Sequence, residues 1–369
     1  MRAKSNQKNG LVDLPSRASY NPVHIGNPDN SPGISRGFGM IRARIIGTGS
    51  YLPSRVVSNE EIAPTLNLSP ARIQRLTGIR TRHWAGDHEA PSDMGIEAGR
   101  RALDAAGAAA SSIEAIVLST TSPDMVFPST ACAVQRGLGC KQVGAFDVSA
   151  SCSGFLYGLS MAQAMIQSGQ VKTCLVVASE VKSRSLDHQD AATALLFGDG
   201  AGAVMIRGEE DQCPERRGIL GIRLFADGSH HGLIRVPGGG SRRPLSSDTL
   251  NKREHVLRMQ GASLFRLAIR RVEQAVLDIL KEFGIRPADL KQVVLHQANG
   301  RILTQVADRL GIEPCRLASV IEHYGNTSSA SLPIALDHAV RGEKISPGDL
   351  VLLGSFGGGL TWATGLVRW

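Results

Sequence analysis

A length of 369 residues allows two domain-sized units or one large double domain with a sizeable core. With 42% hydrophobic and 20% charged residues, the composition is that of a globular protein in water, and no apolar run is long enough for a membrane span. The net charge of +8 comes from basic residues that form no long block, which favours an acidic protein partner or a phosphorylated ligand over nucleic acid.

The six cysteines contain no CxxC pair, so zinc and redox-motif functions are poor candidates and no metal site is expected. Scattered cysteines suit a reducing compartment, and the N-terminus lacks the apolar segment of a signal peptide. We therefore expect a cytoplasmic protein without membrane attachment. The cysteines are Cys132, Cys140, Cys152, Cys174, Cys213 and Cys315.

Residues 1–39 differ from the rest of the chain, because they are rich in Asn, Ser, Pro, Gly and Arg and show no sustained periodicity. This composition predicts a disordered tail without a catalytic role. Met40 directly precedes a strand-like segment and is therefore a candidate for the natural start of the protein.

The first half alternates apolar runs typical of strands with segments of helical spacing. Asn59 is predicted to cap a short helix with an acidic first turn. Strands are predicted at residues 41–46, 115–121, 143–148 (buried) and 173–179, with two strands broken by glycines at 195–207. Further helices are predicted at residues 71–76, 92–106, 129–138 and 154–168.

The second half repeats this alternation, and both halves end on apolar, glycine, apolar and then arginine residues, which indicates a duplicated α/β unit. The charged segment 208–217 is the expected boundary between halves at 40–215 and 216–369. Strands are predicted at residues 218–225, 293–296, 350–353 and in a last run to 369; helices at 261–283, 300–310 and 329–340; and an irregular basic stretch at 230–256.

Cys152 lies where a strand is predicted to turn sharply into an apolar helix, among small residues such as Ser151 and Gly154. A helix N-terminus favours the nucleophilic thiolate through its free N–H groups and its dipole. The same N–H groups can hold an oxyanion beside the sulfur. A buried structural cysteine is the commoner fate of a single Cys, so the nucleophile hypothesis depends on the rest of the chain.

Three further features are predicted to lie at strand ends, like Cys152. His296 ends an apolar strand, Asn326 lies in a loop before a helix, and the glycines at 357–359 follow another strand. Alternatively, His296 is a structural hydrogen-bonding residue, Asn326 is a helix N-cap and the glycines cradle phosphate. Open α/β sheets place ligand sites beyond strand C-termini, so the set favours acyl transfer through a thioester. That chemistry needs a thiolate, an oxyanion hole and donors for a second negative charge.

The segments that carry these residues resemble the thiolase superfamily and, within it, β-ketoacyl-acyl carrier protein synthase III. The resemblance runs from Met40 to Trp369, and the Cys-His-Asn set points to this family rather than to the Cys-His-His elongating synthases. It implies a five-layered αβαβα fold of two duplicated halves, and a homodimer. Its motifs are the Cys152 elbow, TGIR at 77–80, FGDGAG at 197–202, HQAN at 296–299, YGNTS at 324–328 and FGGGLTW at 356–362.

The resemblance implies a decarboxylative Claisen condensation that starts an acyl chain. Cys152 would take an acyl group from an acyl-CoA, with its own N–H and that of Gly358 as the oxyanion hole. His296 and Asn326 would stabilise the enolate formed when malonyl-acyl carrier protein loses carbon dioxide. The product would be a β-ketoacyl-acyl carrier protein.

The resemblance also assigns residues to substrate binding. No cofactor is implied beyond the substrates themselves, a CoA thioester and the phosphopantetheine of the acyl carrier protein. Where the family clamps the CoA adenine between a Trp and an Arg, this chain has Arg72 and Ala191, and Leu76 replaces a nearby Arg, which leaves the acyl donor open. The implied sets are Phe127 (from the partner subunit), Phe197 and Arg184 for the acyl pocket; Arg72, Gly261, Phe265, Ala298 and Asn299 for CoA; and Arg266, Arg301 and Arg309 for the carrier protein.

Three alternatives remain at this stage. One is a synthase III-like enzyme with a specialised starter, for a pimelate precursor of biotin or for a polyketide, in which Arg184 would meet a dicarboxylic starter. Another is an acyltransferase of the same fold that does not condense, although such an enzyme needs no enolate-stabilising pair. The last is a non-catalytic binding or scaffold protein, against which the intact set around Cys152 argues.

Overall fold

The computed structural model of the protein describes residues 41–210 and 217–369. The strands are β1 Ile41–Tyr51, β2 Arg55–Ser58, β3 Thr81–Trp84, β4 Ala115–Ser119, β5 Gly144–Val148, β6 Thr173–Glu180, β7 Gly200–Glu210, β8 Gly218–Ala226, β9 Ile234–Arg235, β10 Arg258–Met259, β11 Gln292–Leu295, β12 Leu317–Ala318, β13 Leu350–Gly357 and β14 Thr361–Arg368. The α-helices are α1 Asn59–Leu66, α2 Pro70–Thr77, α3 Pro91–Ala106, α4 Thr130–Leu138, α5 Gly154–Gln167, α6 Ser247–Asn251, α7 Gly261–Phe283, α8 Gly300–Leu310, α9 Ile321–Tyr324 and α10 Ser331–Arg341.

Two five-stranded sheets share one topology. The first has the order β1-β7-β6-β4-β5, and the second has the order β8-β14-β13-β11-β12. In each sheet the first three strands are antiparallel neighbours and the last three are parallel neighbours. The matching order confirms the duplicated fold, with β8 corresponding to β1, β11 to β4, β12 to β5, β13 to β6 and β14 to β7.

The helices complete five layers in the order αβαβα. Helices α5 and α10 pack between the sheets and contact strands of both. Helices α3 and α4 cover the outer face of the first sheet, while α7, backed by α8, covers that of the second. Parallel strands covered on both faces become fully apolar, and all five residues of β4 are buried accordingly. The layered arrangement agrees with the expected thiolase-like fold.

Several local predictions were wrong, each because a neighbour overrides the local pattern. Residues 195–207 do not contain two strands: the single strand β7 begins at Gly200, and residues 195–199 lie outside the sheet. A Cβ at Gly198 would lie 2.5 Å from the Tyr324 carbonyl oxygen, so the glycine allows this segment to pair with Asn326. Ser58 caps α1, while Asn59 is buried and donates to the Ile79 carbonyl. The strand at 143–148 is a sheet edge whose residues are exposed or half-buried.

The predictions of an N-terminal tail and of a boundary between the halves can be compared with the structure only in part. The predicted tail at 1–39 and Met40 lie outside the described residues, as does most of the predicted boundary at 208–217. The first sheet is built entirely from residues 41–210 and the second from residues 218–368. Within 41–210 and 217–369, no helix combines the length and the apolar character that crossing a bilayer requires.

Candidate active site

The Cys152 elbow joins β5 to α5. A single 3-10 turn, Ser151–Ser153, follows β5 and leads directly into the helix. Ser151 has a φ of 51°, in the left-handed region, which lets the chain reverse direction within two residues. At Gly154 a Cβ would lie 2.0 Å from Ser119 Oγ, so only glycine allows α5 to start this close to the end of β4. Cys152 is thus held at the first turn of an interior helix, as predicted.

The surroundings of the sulfur oppose the predicted thiolate. Burial raises the pKa of Cys152, and the nearby Glu180 carboxylate adds to the effect, while the hydrogen bond between Cys152 and Ser328 and the charge of Lys182 act in the other direction. The Sγ atom lies 3.5 Å from Ser328 Oγ. The side chain is 7% exposed. Cys152 is therefore held mainly as a thiol.

Glu180, the last residue of β6, is a buried carboxylate beneath the elbow. Its Oε1 accepts hydrogen bonds from Ser328 Oγ at 3.0 Å and Ser329 Oγ at 2.8 Å. Its Oε2 lies 3.1 Å from Lys182 Nζ and accepts from Ser122 Oγ at 2.7 Å. Burial alone would raise the pKa of Glu180, but Lys182 and these hydrogen bonds outweigh it and lower that pKa. Glu180 is therefore ionised and satisfied, and it ties β6 to the loop after Asn326.

His296 directly follows β11 and is held as a neutral ring. Burial lowers its pKa to about 3, against a smaller opposing effect from Glu180. Its Nδ1 lies 2.6 Å from Ser331 Oγ, which already accepts the Gln297 N–H at 3.1 Å. The one hydroxyl hydrogen of Ser331 is thus available to Nδ1. This places the ring proton on Nε2, the nitrogen that can donate to a substrate.

Asn326 lies in the loop after α9 rather than at a strand end, and paired backbone atoms fix its position. Its N–H donates to the Leu196 carbonyl at 2.8 Å, and its carbonyl accepts from the Gly198 N–H at 3.0 Å. The side-chain Oδ1 accepts the Ser328 N–H at 2.9 Å. With the oxygen occupied, the amide nitrogen is the end of the side chain that offers hydrogens.

The glycine turn between β13 and β14 approaches the elbow closely. A Cβ at Gly357 would lie 2.6 Å from the Cys152 backbone nitrogen, so glycine is required for this approach. The Gly358 N–H donates to Ser151 Oγ at 3.0 Å. Thr361 Oγ1 donates to the Ala150 carbonyl at 2.9 Å, which links the turn to the elbow. The turn thus brings a backbone N–H close to Cys152, and its role in an oxyanion hole stays a prediction.

These residues surround one cavity of about 370 Å³. Cys152, His296 and Asn326 all line it, so the structure brings together the three residues predicted as catalytic. Its mouth and walls are mainly apolar. The other predicted residues that line it are Phe197, Gly261, Phe265, Ala298, Asn299, Arg301 and Gly358, and the lining also includes Leu76 and Ala191.

Other predicted site residues do not line this cavity. Arg184 is exposed and donates to the Gly86 carbonyl at 2.6 Å. Arg72 is also exposed, on α2. Phe127 lies on a surface loop and is 85% exposed, which leaves it unburied within a single chain. The structure therefore does not bring these three residues to the candidate site of their own subunit.

The three arginines predicted to meet a carrier protein are exposed on α7 and α8. Arg301 lies at the cavity mouth with its guanidinium 5.6 Å from the centre of the Phe265 ring. Arg309 Nε lies 3.0 Å from Glu273 Oε2, so part of its charge is compensated. Arg266 follows Phe265 on α7 and does not itself line the cavity.

Several residues of the site were missed from the sequence. Ser328 and Ser331 follow Asn326 within a serine-rich run, and that proximity was an available signal. Glu180 ends an apolar strand, just as His296 follows one, so the same reasoning would have identified it. In the described parts of the chain, no group of three His, Cys, Asp or Glu side chains is arranged to hold a metal ion.

Comparison with known proteins connects this site to one family. Residues 146–228 match the family model described as 3-oxoacyl-[acyl-carrier-protein (ACP)] synthase III, and residues 280–369 match the model of its C-terminal part. A β-ketoacyl-[acyl-carrier-protein] synthase III of Rhizorhabdus wittichii is 46% identical over 330 residues, which is 89% of this chain and 100% of the relative.

Solved structures agree with these matches. The 3-oxoacyl-[acyl-carrier-protein] synthase III of Aquifex aeolicus is 39% identical, with a TM-score of 0.82 over 89% of this chain and 100% of that one. The priming β-ketosynthase of the R1128 polyketide biosynthetic pathway is 34% identical, with a TM-score of 0.82 over 91% and 98% of the two chains.

Proposed function

This chain belongs to the 3-oxoacyl-[acyl-carrier-protein] synthase III family, and on that premise we propose that Cys152, His296 and Asn326 carry out a decarboxylative condensation of an acyl-CoA starter with malonyl-acyl carrier protein. The observation that carries the proposal is that all three side chains line a single apolar cavity. The family membership makes the protein an acyl-transferring condensing enzyme. The residue roles, the starter and the partners are the proposed part.

The first half-reaction is acyl transfer to Cys152. The sulfur attacks the thioester carbonyl, the carbon–sulfur bond to CoA breaks, and CoA leaves with the proton that the thiol gives up. The tetrahedral intermediate carries its negative charge on the former carbonyl oxygen. The N–H groups of Cys152 and Gly358 are the donors for that oxyanion, in a site from which burial excludes most water.

The second half-reaction is decarboxylation and carbon–carbon bond formation. His296 Nε2–H and the Asn326 amide donate to the thioester oxygen of the malonyl group, which takes up charge as carbon dioxide leaves. The resulting carbanion attacks the acyl carbon on Cys152 and expels the sulfur, which takes up a proton from water to replace the one that left with CoA. A neutral histidine suits this role, because the low pKa of His296 keeps it a hydrogen-bond donor rather than an acid.

The carrier protein is proposed to dock beside the cavity mouth, on the face of α7 and α8 that carries Arg266, Arg301 and Arg309. Exposed arginines near a substrate entrance mainly raise the rate of encounter with an acidic partner. Arg266→Glu is expected to raise KM for malonyl-acyl carrier protein several-fold, more at low salt than at high salt. Lys281→Glu, about 22 Å further along the same helix, is the matched control.

Homodimer formation and a cytoplasmic location complete the proposal. The edge strand β5 has exposed and half-buried residues, and the neighbouring loop carries the exposed apolar side chains of Met125, Val126 and Phe127. An unpaired edge strand beside an apolar loop is a suitable surface for a second copy. In such a dimer Phe127 would reach the acyl pocket of the partner. Sedimentation of the wild type and of Phe127→Asp would test this assembly.

The starter is proposed to be an acyl-CoA, although the replacements at Arg72 and Ala191 and the similarity to a priming polyketide synthase keep a specialised starter as the second candidate. Intact mass after incubation with acetyl-, straight-chain, branched and dicarboxylic acyl-CoAs would identify it, with Cys152→Ala as control. Release of labelled carbon dioxide from malonyl-acyl carrier protein would separate condensation from simple acyl transfer. An unlabelled Cys152 with every CoA and carrier-protein donor would contradict the proposal.

A further inference from the structure

One of the two proposed oxyanion donors already has an acceptor within the protein. The Gly358 N–H donates to Ser151 Oγ at 3.0 Å, and that same Oγ donates to Cys152 Sγ at 4.0 Å. Donors of an oxyanion hole lie about 2.7–3.1 Å from the oxygen that they stabilise. The serine hydroxyl therefore occupies the space in front of Gly358 that a substrate carbonyl oxygen must enter.

The backbone holds Ser151 against the glycine turn. With a φ of 51°, Ser151 lies at the sharpest point of the elbow. Thr361 Oγ1 lies 2.9 Å from the Ala150 carbonyl oxygen and 3.1 Å from the Gly358 carbonyl oxygen, and its single hydrogen can bond to either, so elbow and turn are linked. A Cβ at Gly358 would lie 3.2 Å from Ser151 Oγ and 2.9 Å from Ile234 Cγ2, which shows how tightly the turn is enclosed.

We propose that the Ser151 hydroxyl is a built-in occupant of the oxyanion hole, which the thioester carbonyl must displace from Gly358 before Cys152 can be acylated. A serine is suited to this role, because rotation about χ1 moves its hydroxyl away while the backbone stays in place. In the free enzyme the hydroxyl keeps a partly buried N–H satisfied, so the turn stays in its catalytic position. Acyl transfer then includes the exchange of one hydrogen bond for another.

This inference rests on the proposed function and makes a distinctive kinetic prediction. Ser151→Ala leaves the Gly358 N–H free to donate to the thioester carbonyl oxygen, so the single-turnover rate of Cys152 acylation by acetyl-CoA or butyryl-CoA should rise. The expected increase is about 2- to 10-fold, the factor that one neutral hydrogen bond provides. Alkylation of Cys152 by iodoacetamide forms no oxyanion. The Ser151 hydroxyl also donates to Cys152 Sγ and lowers its pKa, so alkylation of the variant should be no faster than in wild type.

Two further variants protect the test against a folding defect. Ser151→Gly also removes the hydroxyl and suits the positive φ, so it should fold at least as well as wild type and acylate faster. Ser153→Ala removes a buried hydroxyl of the same turn that has no hydrogen-bond partner among the described residues, and it should leave acylation unchanged.

The possible outcomes are distinct. Faster acylation in both Ser151 variants, with alkylation no faster than in wild type, supports the inference. Slower acylation would mean that the hydroxyl donates to the oxyanion instead of competing with it, and equal rates would mean that it is never in the way; either result overturns the inference. If neither thioester labels any variant while iodoacetamide still alkylates Cys152, the acyl-transfer function itself fails, and the inference falls with it.

Discussion

The two halves of the molecule each build the same sharp turn before an interior helix, but only one turn carries the nucleophile. In the first half Ser151–Ser153 precedes α5, and in the second half Ser328–Ala330 precedes α10. Both turns begin with a serine in the left-handed region, at φ 51° and 55°. Ser329 therefore stands where Cys152 stands in the other half.

The difference lies in the strand that ends beside each turn. Strand β13 ends at Gly357, which approaches the Cys152 backbone closely and, like Cys152, lines the cavity. Its counterpart β6 ends at Glu180, whose carboxylate binds Ser329 and Ser328 and closes the space. Ser329 is accordingly 0% exposed. The duplicated backbone thus supplies two similar elbows, and a single residue type at a strand end decides which of them can meet a substrate.

The largest effect on activity is expected when the nucleophile is removed from the first elbow and a cysteine is placed in the second. Cys152→Ala should abolish the acyl-enzyme and lower condensation by about 10³-fold or more, because the nucleophile is lost. The double variant Cys152→Ala with Ser329→Cys should not recover it, since the second turn is closed. Intact mass after incubation with acyl-CoA measures both, and Cys315→Ala on the surface is the control. An acyl group on residue 329 would show that the second elbow is also open to substrate, contrary to the comparison.

Replacing the carboxylate that closes the second elbow should destabilise the folded protein. Glu180→Gln leaves the buried Lys182 without its counter-charge, and the free energy of unfolding should fall by roughly 3–5 kcal/mol. Because the folded pKa of Glu180 is lowered, its contribution is present above its unfolded pKa of about 4.3 and is lost as the pH falls through the folded value. Chemical denaturation at neutral pH measures the loss.

A matched surface variant distinguishes the loss of a buried carboxylate from the loss of a carboxylate charge as such. Glu61→Gln breaks the exposed ion pair with Arg55 and should cost less than about 1 kcal/mol. An equal loss in the two variants would show that Glu180 does not close its elbow through a buried network.

The strand ends also differ at a second pair of positions, where His296 follows β11 and Thr120 follows the corresponding β4. His296→Gln should lower condensation by about 10²–10³-fold, the effect of losing one oxyanion donor. Acylation of Cys152 should change little, since His296 acts on the malonyl group. Separate assays of acyl-enzyme formation and carbon dioxide release test this division, and a parallel loss of both rates would contradict it.

The smallest expected effect is a pH dependence of stability. The folded pKa of His296 is about 3, below its unfolded value of about 6.5, so the unfolded state binds an extra proton between these values. Stability from this residue is thus fully present above pH ~6.5 and is lost as the pH falls, by up to about 1.4 kcal/mol per unit. His296→Gln should remove that slope, whereas His231→Gln at an exposed site should keep it. Denaturation curves of the wild type and both variants from pH 7 to 5 would measure this pH dependence of the free energy of unfolding.

The sequence alone determined most of the elements, because their signals are local. Helix α7 begins and ends at the predicted residues 261 and 283, and α8 likewise matches 300–310. Three chemically distinctive residues in separate glycine- and serine-rich motifs were enough to identify Cys152, His296 and Asn326 as one set. Residue type, helical periodicity and turn chemistry act over a few positions, so a reader of the sequence can see them.

Only the tertiary structure decided what surrounds those residues. The raised pKa of Cys152 follows from burial and from Glu180, and the proton on His296 Nε2 follows from Ser331, neither of which local patterns reveal. Arg184 and Arg72 carry suitable charges but do not reach the cavity of their own chain. Desolvation and hydrogen bonding depend on which distant segments meet, and packing of the two sheets around α5 and α10 determines that.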